Sequence, residues 1–258
     1  MRLFDLTGKV ALVTGGNGGI GLGMAEGLAS CGAQVVVFGQ NPDKNAAAEE
    51  KLKTLDPTAR AMQVDVGDEA ALCAAIAEVI KARGRLDFVA ANAGVGGGGQ
   101  AFTEVTTEAW RRITAINLDS VFWTFREACK HMIARAEAGD PGGALVVTSS
   151  TSAIHGAPRN EAYASTKAAV QAMIRGIAVE HARYGIRANA ILPGWIRSDM
   201  TKGLQAWDTF NEKAIGRVPM RRWGEPEDFA AIAAYFASDA SRFHTGDSIV
   251  IDGGYTIF

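Results

Sequence analysis

A chain of 258 residues, 48% of them hydrophobic, is long enough to bury a substantial core and is read as one domain over residues 1–258. A formal net charge of −2, with no block of lysine and arginine, excludes the electrostatic footprint of a nucleic-acid-binding protein. No stretch is long and apolar enough to span a bilayer. The three cysteines (Cys31, Cys73 and Cys129) lack metal-like spacing, which points to reduced thiols, a cytoplasmic protein and no metal site.

The N-terminus carries a charge at Arg2 but runs straight into a strand pattern, and Asp5 and Lys9 break any signal-peptide core. Seven short apolar runs follow in order: VALVT, VVVF, AMQVDV, LDFVAANAG, GALVVTSS, RANAILPG and DSIVIDGG. Between them the pattern predicts helices over 19–30, 42–54, 69–83, 107–135, 161–184 and 226–238, with Asn41-Pro42 as N-cap and first helical residue. Continuous apolar strands alternating with helices predict a doubly wound, Rossmann-type α/β domain: a seven-stranded parallel sheet with helices on both faces. Residues 198–222 interrupt the alternation and read as a loop or short helices forming a lid over a ligand site.

Directly after the first strand stands Thr14-Gly15-Gly16-Asn17-Gly18-Gly19-Ile20-Gly21. Glycines allow a tight turn and a close approach to a pyrophosphate, whose charge is met by the free amides opening the next helix. Further along, Thr148 to Lys167 leads from a strand end into an alanine-rich helix, with Tyr163 and Lys167 four apart on one helical face. A phenol is a poor base at neutral pH, and a neighbouring ammonium is expected to lower its pKa. A hydroxyl from the strand end, Ser149 or Ser150, is placed to hold the same oxygen as Tyr163. Tyr184, Tyr235 and Tyr255 have no lysine at this spacing.

Gly-x-x-x-Gly-x-Gly from Gly15 to Gly21, followed in order by Asp65-Val66, Asn92-Ala93-Gly94, Asn117, Ser150, Tyr163-x-x-x-Lys167 and Pro193-Gly194, resembles the short-chain dehydrogenase/reductase family over essentially the whole chain. The resemblance implies that Asn117, Ser150, Tyr163 and Lys167 are catalytic. The family serine lies thirteen residues before its tyrosine, which selects Ser150. It further implies that Gly15, Asn17, Gly19, Ile20, Gly21, Gly39, Gln40, Asp65, Val66, Asn92, Ala93, Gly94, Tyr163, Lys167, Pro193, Gly194, Ile196 and Ser198 contact a nicotinamide dinucleotide. Ser198 stands where the family more often has threonine. Asn117 corresponds to an asparagine that kinks its helix and positions a water linked to the lysine. A homotetramer built on the helices over 107–135 and 161–184 is implied by the resemblance alone.

The second strand ends in Phe38-Gly39-Gln40-Asn41, with neither the carboxylate of an NAD site nor the arginine of an NADP site. A 2′-phosphate dianion without a cation is costly to desolvate, so the sequence leans to NAD, with NADP possible and Lys44 the residue that most favours it. The expected activity is interconversion of a secondary alcohol and a ketone by hydride transfer. Val95, Gly96 to Gly99, Ile154, His155, Asn160, Trp195, Met200, Leu204, Trp207 and Phe210 are candidate pocket residues. The mainly apolar lid, with Met200, Leu204, Trp207 and Phe210, favours a ring ketone or an aliphatic or aromatic secondary alcohol rather than a bare sugar, and the same side chains also suit packing between subunits. His155 reads as a solvent-contacting turn histidine. The alternatives are an NADPH-dependent 3-oxoacyl-thioester (acyl carrier protein) reductase and a non-catalytic cofactor-binding regulator. The second is disfavoured by the complete catalytic set.

Overall fold

The computed structural model describes residues 3–258, leaving Arg2 outside it. The strands are β1 (Val10–Thr14), β2 (Gln34–Gly39), β3 (Arg60–Gln63), β4 (Phe88–Ala91), β5 (Gly143–Thr148), β6 (Ile186–Pro193) and β7 (Ser248–Ile251). They form one seven-stranded sheet in the order β3-β2-β1-β4-β5-β6-β7, with every neighbouring pair parallel. The helices are α1 (Gly19–Ser30), α2 (Pro42–Lys53), α3 (Glu69–Arg83), α4 (Thr107–Thr114), α5 (Ser120–Glu137), α6 (Glu161–His181), α7 (Lys202–Gln205), α8 (Asp208–Ala214) and α9 (Ala230–Ala237).

Side-chain alternation along the strands gives two cores, one on each sheet face. Val10 and Leu12 pack with Leu72 and Ile76 of α3, Phe125 and Met132 of α5, and Val170 and Ile174 of α6. Ala11 and Val13 face the other way, onto Met24 and Leu28 of α1, Leu52 of α2, Phe229 just before α9 and Phe236 within it. Local chemistry sets several helix ends. Asn41 Oδ1 accepts from Lys44 N at 3.0 Å, and Asp68 Oδ1 accepts from Ala71 N at 3.0 Å. Gly84, at φ 73°, closes α3 by donating to Ile80 O at 2.8 Å.

The chain winds outward from β1 to β3 and returns to place β4 against the other side of β1. The loops leaving β1 and β4 therefore diverge and open a crevice at the C-terminal ends of the strands. Two of the expected helices are interrupted. The run over 107–135 is α-helical to Thr114, passes through a π-helical turn at Ala115–Asp119, and resumes as α5. At this turn Ser120 Oγ donates to Ile116 O at 2.6 Å, and the Asn117 side chain is drawn out to Val95, twenty-two residues away in the chain. The segment from Pro226 begins with a 3₁₀ turn (Pro226–Phe229) before α9. The expected lid holds 3₁₀ turns at Asp199–Thr201 and Ile215–Arg217 with α7 and α8 between them.

Candidate active site

The glycine turn leaves β1 with Gly15 at φ 63° and enters α1 with Gly19 at φ 51°, a backbone region that side chains disfavour. No side chain caps α1, so the amides of its first turn keep their donors for an anion. Asn92 ties three strand ends together. Its Nδ2 donates to Thr14 O at 3.1 Å and Gly15 O at 3.2 Å, and its Oδ1 accepts from Thr148 Oγ1 at 3.0 Å. Thr14 Oγ1 in turn accepts from the amides of Asn92 and Ala93. The turn is thereby held rigidly beside the crevice, as a phosphate cradle requires.

The crevice is a groove of about 490 Å³. Its lining includes the expected residues Gly15, Asn17, Gly39, Gln40, Asp65, Val66, Ala93 and Gly94. The sequence reading missed Arg112, Ala115 and Ile116, which line the opposite wall. Their signal was the four-residue spacing of Arg112 and Ile116 on a predicted helix, which is uninformative until the groove is known. Asn45 was also missed. Its Oδ1 accepts from Asn17 Nδ2 at 2.7 Å and its Nδ2 donates to Gly39 O at 3.0 Å. A Cβ on Gly39 would stand 2.1 Å from Asn17 Nδ2 and 2.3 Å from Asn45 Oδ1, so this pair leaves no room for a side chain there. Lys44 Nζ is paired with Asp199, which also binds Lys202.

Below the groove, β5 and α6 bring Ser150, Tyr163 and Lys167 together. Ser149 Oγ donates to Lys167 O at 2.7 Å and accepts from Gln171 Nε2 at 3.1 Å, so it is fully engaged inside the protein. Ser150 Oγ accepts from Ser152 N at 3.1 Å and is close enough to the Tyr163 hydroxyl to lower its pKa. Lys167 Nζ lies 5.5 Å from the Tyr163 ring centroid and donates to Thr148 O at 2.7 Å. A Cβ on Gly94 would stand 3.3 Å from Asn117 Oδ1 and 3.4 Å from Lys167 Nζ, which places both groups at the groove floor. The Asn117 side chain grips Val95, accepting from its N at 2.8 Å and donating to its O at 2.9 Å.

The electrostatics differ from the simple expectation that Lys167 lowers the Tyr163 pKa. Burial pushes the phenol pKa up, against the opposing hydrogen bond from Ser150. Burial also lowers Lys167 to about 8. Both ionised forms lose hydration on burial, and that loss sets the direction of both shifts.

On the far side, Gly194 N donates to Ile251 O at 3.0 Å, and Ile196 pairs with Gly224. Ser198 stands over the glycine turn: its Cβ lies 3.2 Å from where one on Gly19 would be. The candidate substrate wall is aromatic. Trp195 meets Phe210 edge-on at 4.8 Å, and Trp207 stacks on Phe210 at 6.2 Å. Tyr255, which the sequence reading did not place at the pocket, reaches Trp195 at 6.1 Å and His155 at 5.9 Å. His155 is partly exposed and Nδ1 lies 3.0 Å from Gly156 O. The loop of four glycines is held at Gly97, whose N donates to Asn160 Oδ1 at 2.9 Å.

A family model described as Enoyl-(Acyl carrier protein) reductase matches residues 15–256. The chain is 35% identical over 256 residues to a 2-dehydro-3-deoxy-D-gluconate 5-dehydrogenase of Pseudoalteromonas atlantica, covering 99% of this chain and 98% of that one. It superposes with TM-score 0.91 and 32% identity on a short-chain type dehydrogenase/reductase from Mycobacterium marinum, over 99% of this chain and 98% of that one. A gluconate 5-dehydrogenase from Burkholderia cenocepacia, solved with NADP and tartrate, gives TM-score 0.92 and 32% identity over 100% of this chain and 98% of that one.

Proposed function

Because the chain belongs to the short-chain dehydrogenase/reductase family, we propose that it interconverts a secondary alcohol and a ketone, with Tyr163 as the acid–base group. The observation that carries this reading is buried Lys167, whose Nζ lies 5.5 Å from the Tyr163 ring, with Ser150 acting on the same phenol. The nicotinamide ring, when bound, accepts or delivers the hydride. In oxidation Tyr163 takes the proton from the substrate hydroxyl, and in reduction it returns it. Ser150 holds the same oxygen by hydrogen bonding. Lys167 favours the phenolate once a bound ribose and substrate complete its surroundings, and it passes protons outward by way of water near Asn117.

Gly15, Gly19, Ile20 and Gly21 would hold the pyrophosphate against the α1 amides, while Asp65 and Val66 take the adenine end. Asn92, Ala93 and Gly94 line the centre, and Pro193, Gly194, Ile196 and Ser198 the nicotinamide side. We read NAD as the preferred nucleotide. The turn after β2 presents Gln40 and Asn41 rather than a cation, and Lys44 is already paired with Asp199. The Burkholderia relative holds NADP, so both nucleotides belong in the test.

The aromatic wall favours a ring ketone or an aliphatic or aromatic secondary alcohol. A sugar-acid substrate, suggested by the relatives' names, is the second reading. Arg217 favours it: the guanidinium stands 5.2 Å over the Tyr255 ring and meets Phe258 O at 3.3 Å, with no side-chain carboxylate paired to it among the described residues. We further propose a single domain that works in the cytoplasm, consistent with three free cysteines. Among the described residues no helix is long and apolar enough to cross a membrane.

The test is a screen of secondary alcohols, ketones, gluconate-type acids and acetoacetyl thioester with NAD(H) and NADP(H), followed by nicotinamide absorbance. Turnover of simple alcohols or ketones is expected. Turnover of the thioester alone, with NADPH, would replace this reading with the acyl reductase, and no turnover of any compound would remove the oxidoreductase assignment.

A further inference from the structure

We propose that Asp199 sets the choice between NAD and NADP by holding Lys44 away from the 2′-phosphate. The inference rests on the reading that the groove holds a nicotinamide dinucleotide.

The 2′ position of the adenosine ribose falls at the end of β2, where Gly39 and Gln40 line the groove. The next residue, Asn41, caps α2 by accepting from Lys44 N at 3.0 Å, so the Lys44 backbone is fixed one helical turn from Gln40. A lysine at that point, in the first turn of a helix, is suited to meet a phosphate dianion. Its Nζ is already engaged: it meets Asp199 Oδ2, a residue 155 positions away. Asp199 follows Ser198, which packs against Gly19 at the start of α1. The carboxylate therefore stands beside the start of α1 and draws the ammonium toward the lid.

The second oxygen of Asp199 pairs with Lys202, so the carboxylate is gripped from both sides. These two lysines, Lys202 first, hold its pKa at about 2, and it stays ionised throughout the working range. NADP must compete with this internal anion for Lys44. NAD lacks the 2′-phosphate and has no such competitor. The discrimination is thus produced by an internal carboxylate that occupies the needed cation, although no acidic residue occupies the end of β2 itself. Lys44 and Asp199 are both about half exposed, at 49% and 50%, so a modest effect is expected.

The experiment is a fluorescence titration of NADH and NADPH with the full chain, as wild type, Asp199→Asn and Asp199→Asn/Lys44→Met. Freeing Lys44 should tighten NADPH relative to NADH by about fivefold in Asp199→Asn, and removing Lys44 as well should abolish that gain. An unchanged NADPH/NADH ratio in Asp199→Asn, or a gain that survives the loss of Lys44, overturns the proposal while leaving the oxidoreductase reading intact. Failure of the wild type to bind either nucleotide overturns both.

Discussion

Tyr163 is half-buried, with Ser150 acting on its hydroxyl and Lys167 Nζ 5.5 Å from its ring. Replacing it with phenylalanine keeps the ring's packing and removes the proton carrier. Turnover should fall roughly a hundredfold or more while cofactor affinity stays within about twofold. Near wild-type rates in Tyr163→Phe would remove it from the chemistry. Lys167 is strained in a different sense: only 4% exposed, it has a pKa depressed to about 8. Between that value and the ordinary lysine pKa the unfolded chain binds more protons than the folded one, so stability attributable to this group rises with pH across that window. Below it the whole burial cost is present. Lys167→Met should therefore melt higher than the cofactor-free wild type at pH 7, by at most ~3 kcal/mol, and be inactive. The difference should shrink as pH climbs from 8 toward 10. Calorimetric melting points that stay equally far apart at both ends would show that burial is not what depresses the pKa.

Among the elements, α1 is decisive because it carries the uncapped amides of the cradle. It packs so closely on the Pro226 turn that a Cβ on Gly23 would stand 2.0 Å from Pro226 O, and one on Gly27 2.4 Å from Ala230 O. Those two glycines read in the sequence as ordinary helix residues, since their role depends on a partner two hundred residues away. Gly23→Ala forces the helix and the turn apart and should cost about 2 kcal/mol or more, with weaker nucleotide binding as α1 shifts. An unchanged melting temperature would show that the contact has slack. The helix over 107–135 teaches a related lesson. Its existence followed from hydrophobic periodicity, but the π turn at Asn117 arises because that side chain bonds Val95, a contact no local pattern encodes.

For the molecule as a whole, the assembly is the main open prediction. Large apolar side chains remain exposed on two neighbouring helices, Phe122 of α5 at 47% and Val179 of α6 at 84%. Covering them against a second copy is a physical reason to expect oligomers, and the tetramer implied by family resemblance is the state we propose. Sedimentation should give about four times the 27.2 kDa chain mass, and Val179→Glu should lower it. A monomeric wild type would leave those side chains without a partner and refute the assembly. At this scale the aromatic wall also becomes visible, because Trp195, Phe210 and Tyr255 come from the β6 exit, α8 and the chain terminus.

The sequence alone determined the parallel α/β sheet, the glycine turn after β1 and the placing of Tyr163 and Lys167 on one helical face. These follow from strand and helix periodicity and from short motifs whose geometry is local, while Ser150 was singled out from Ser149 by family resemblance. Only the tertiary structure decided that Gly39 is sealed by Asn17 and Asn45, that Lys44 is claimed by Asp199, that Arg112 enters the groove, and that burial dominates the Tyr163 and Lys167 pKa values. Each of these depends on which distant side chains meet and how much water they lose, and neither quantity is written in the spacing of residues along a chain.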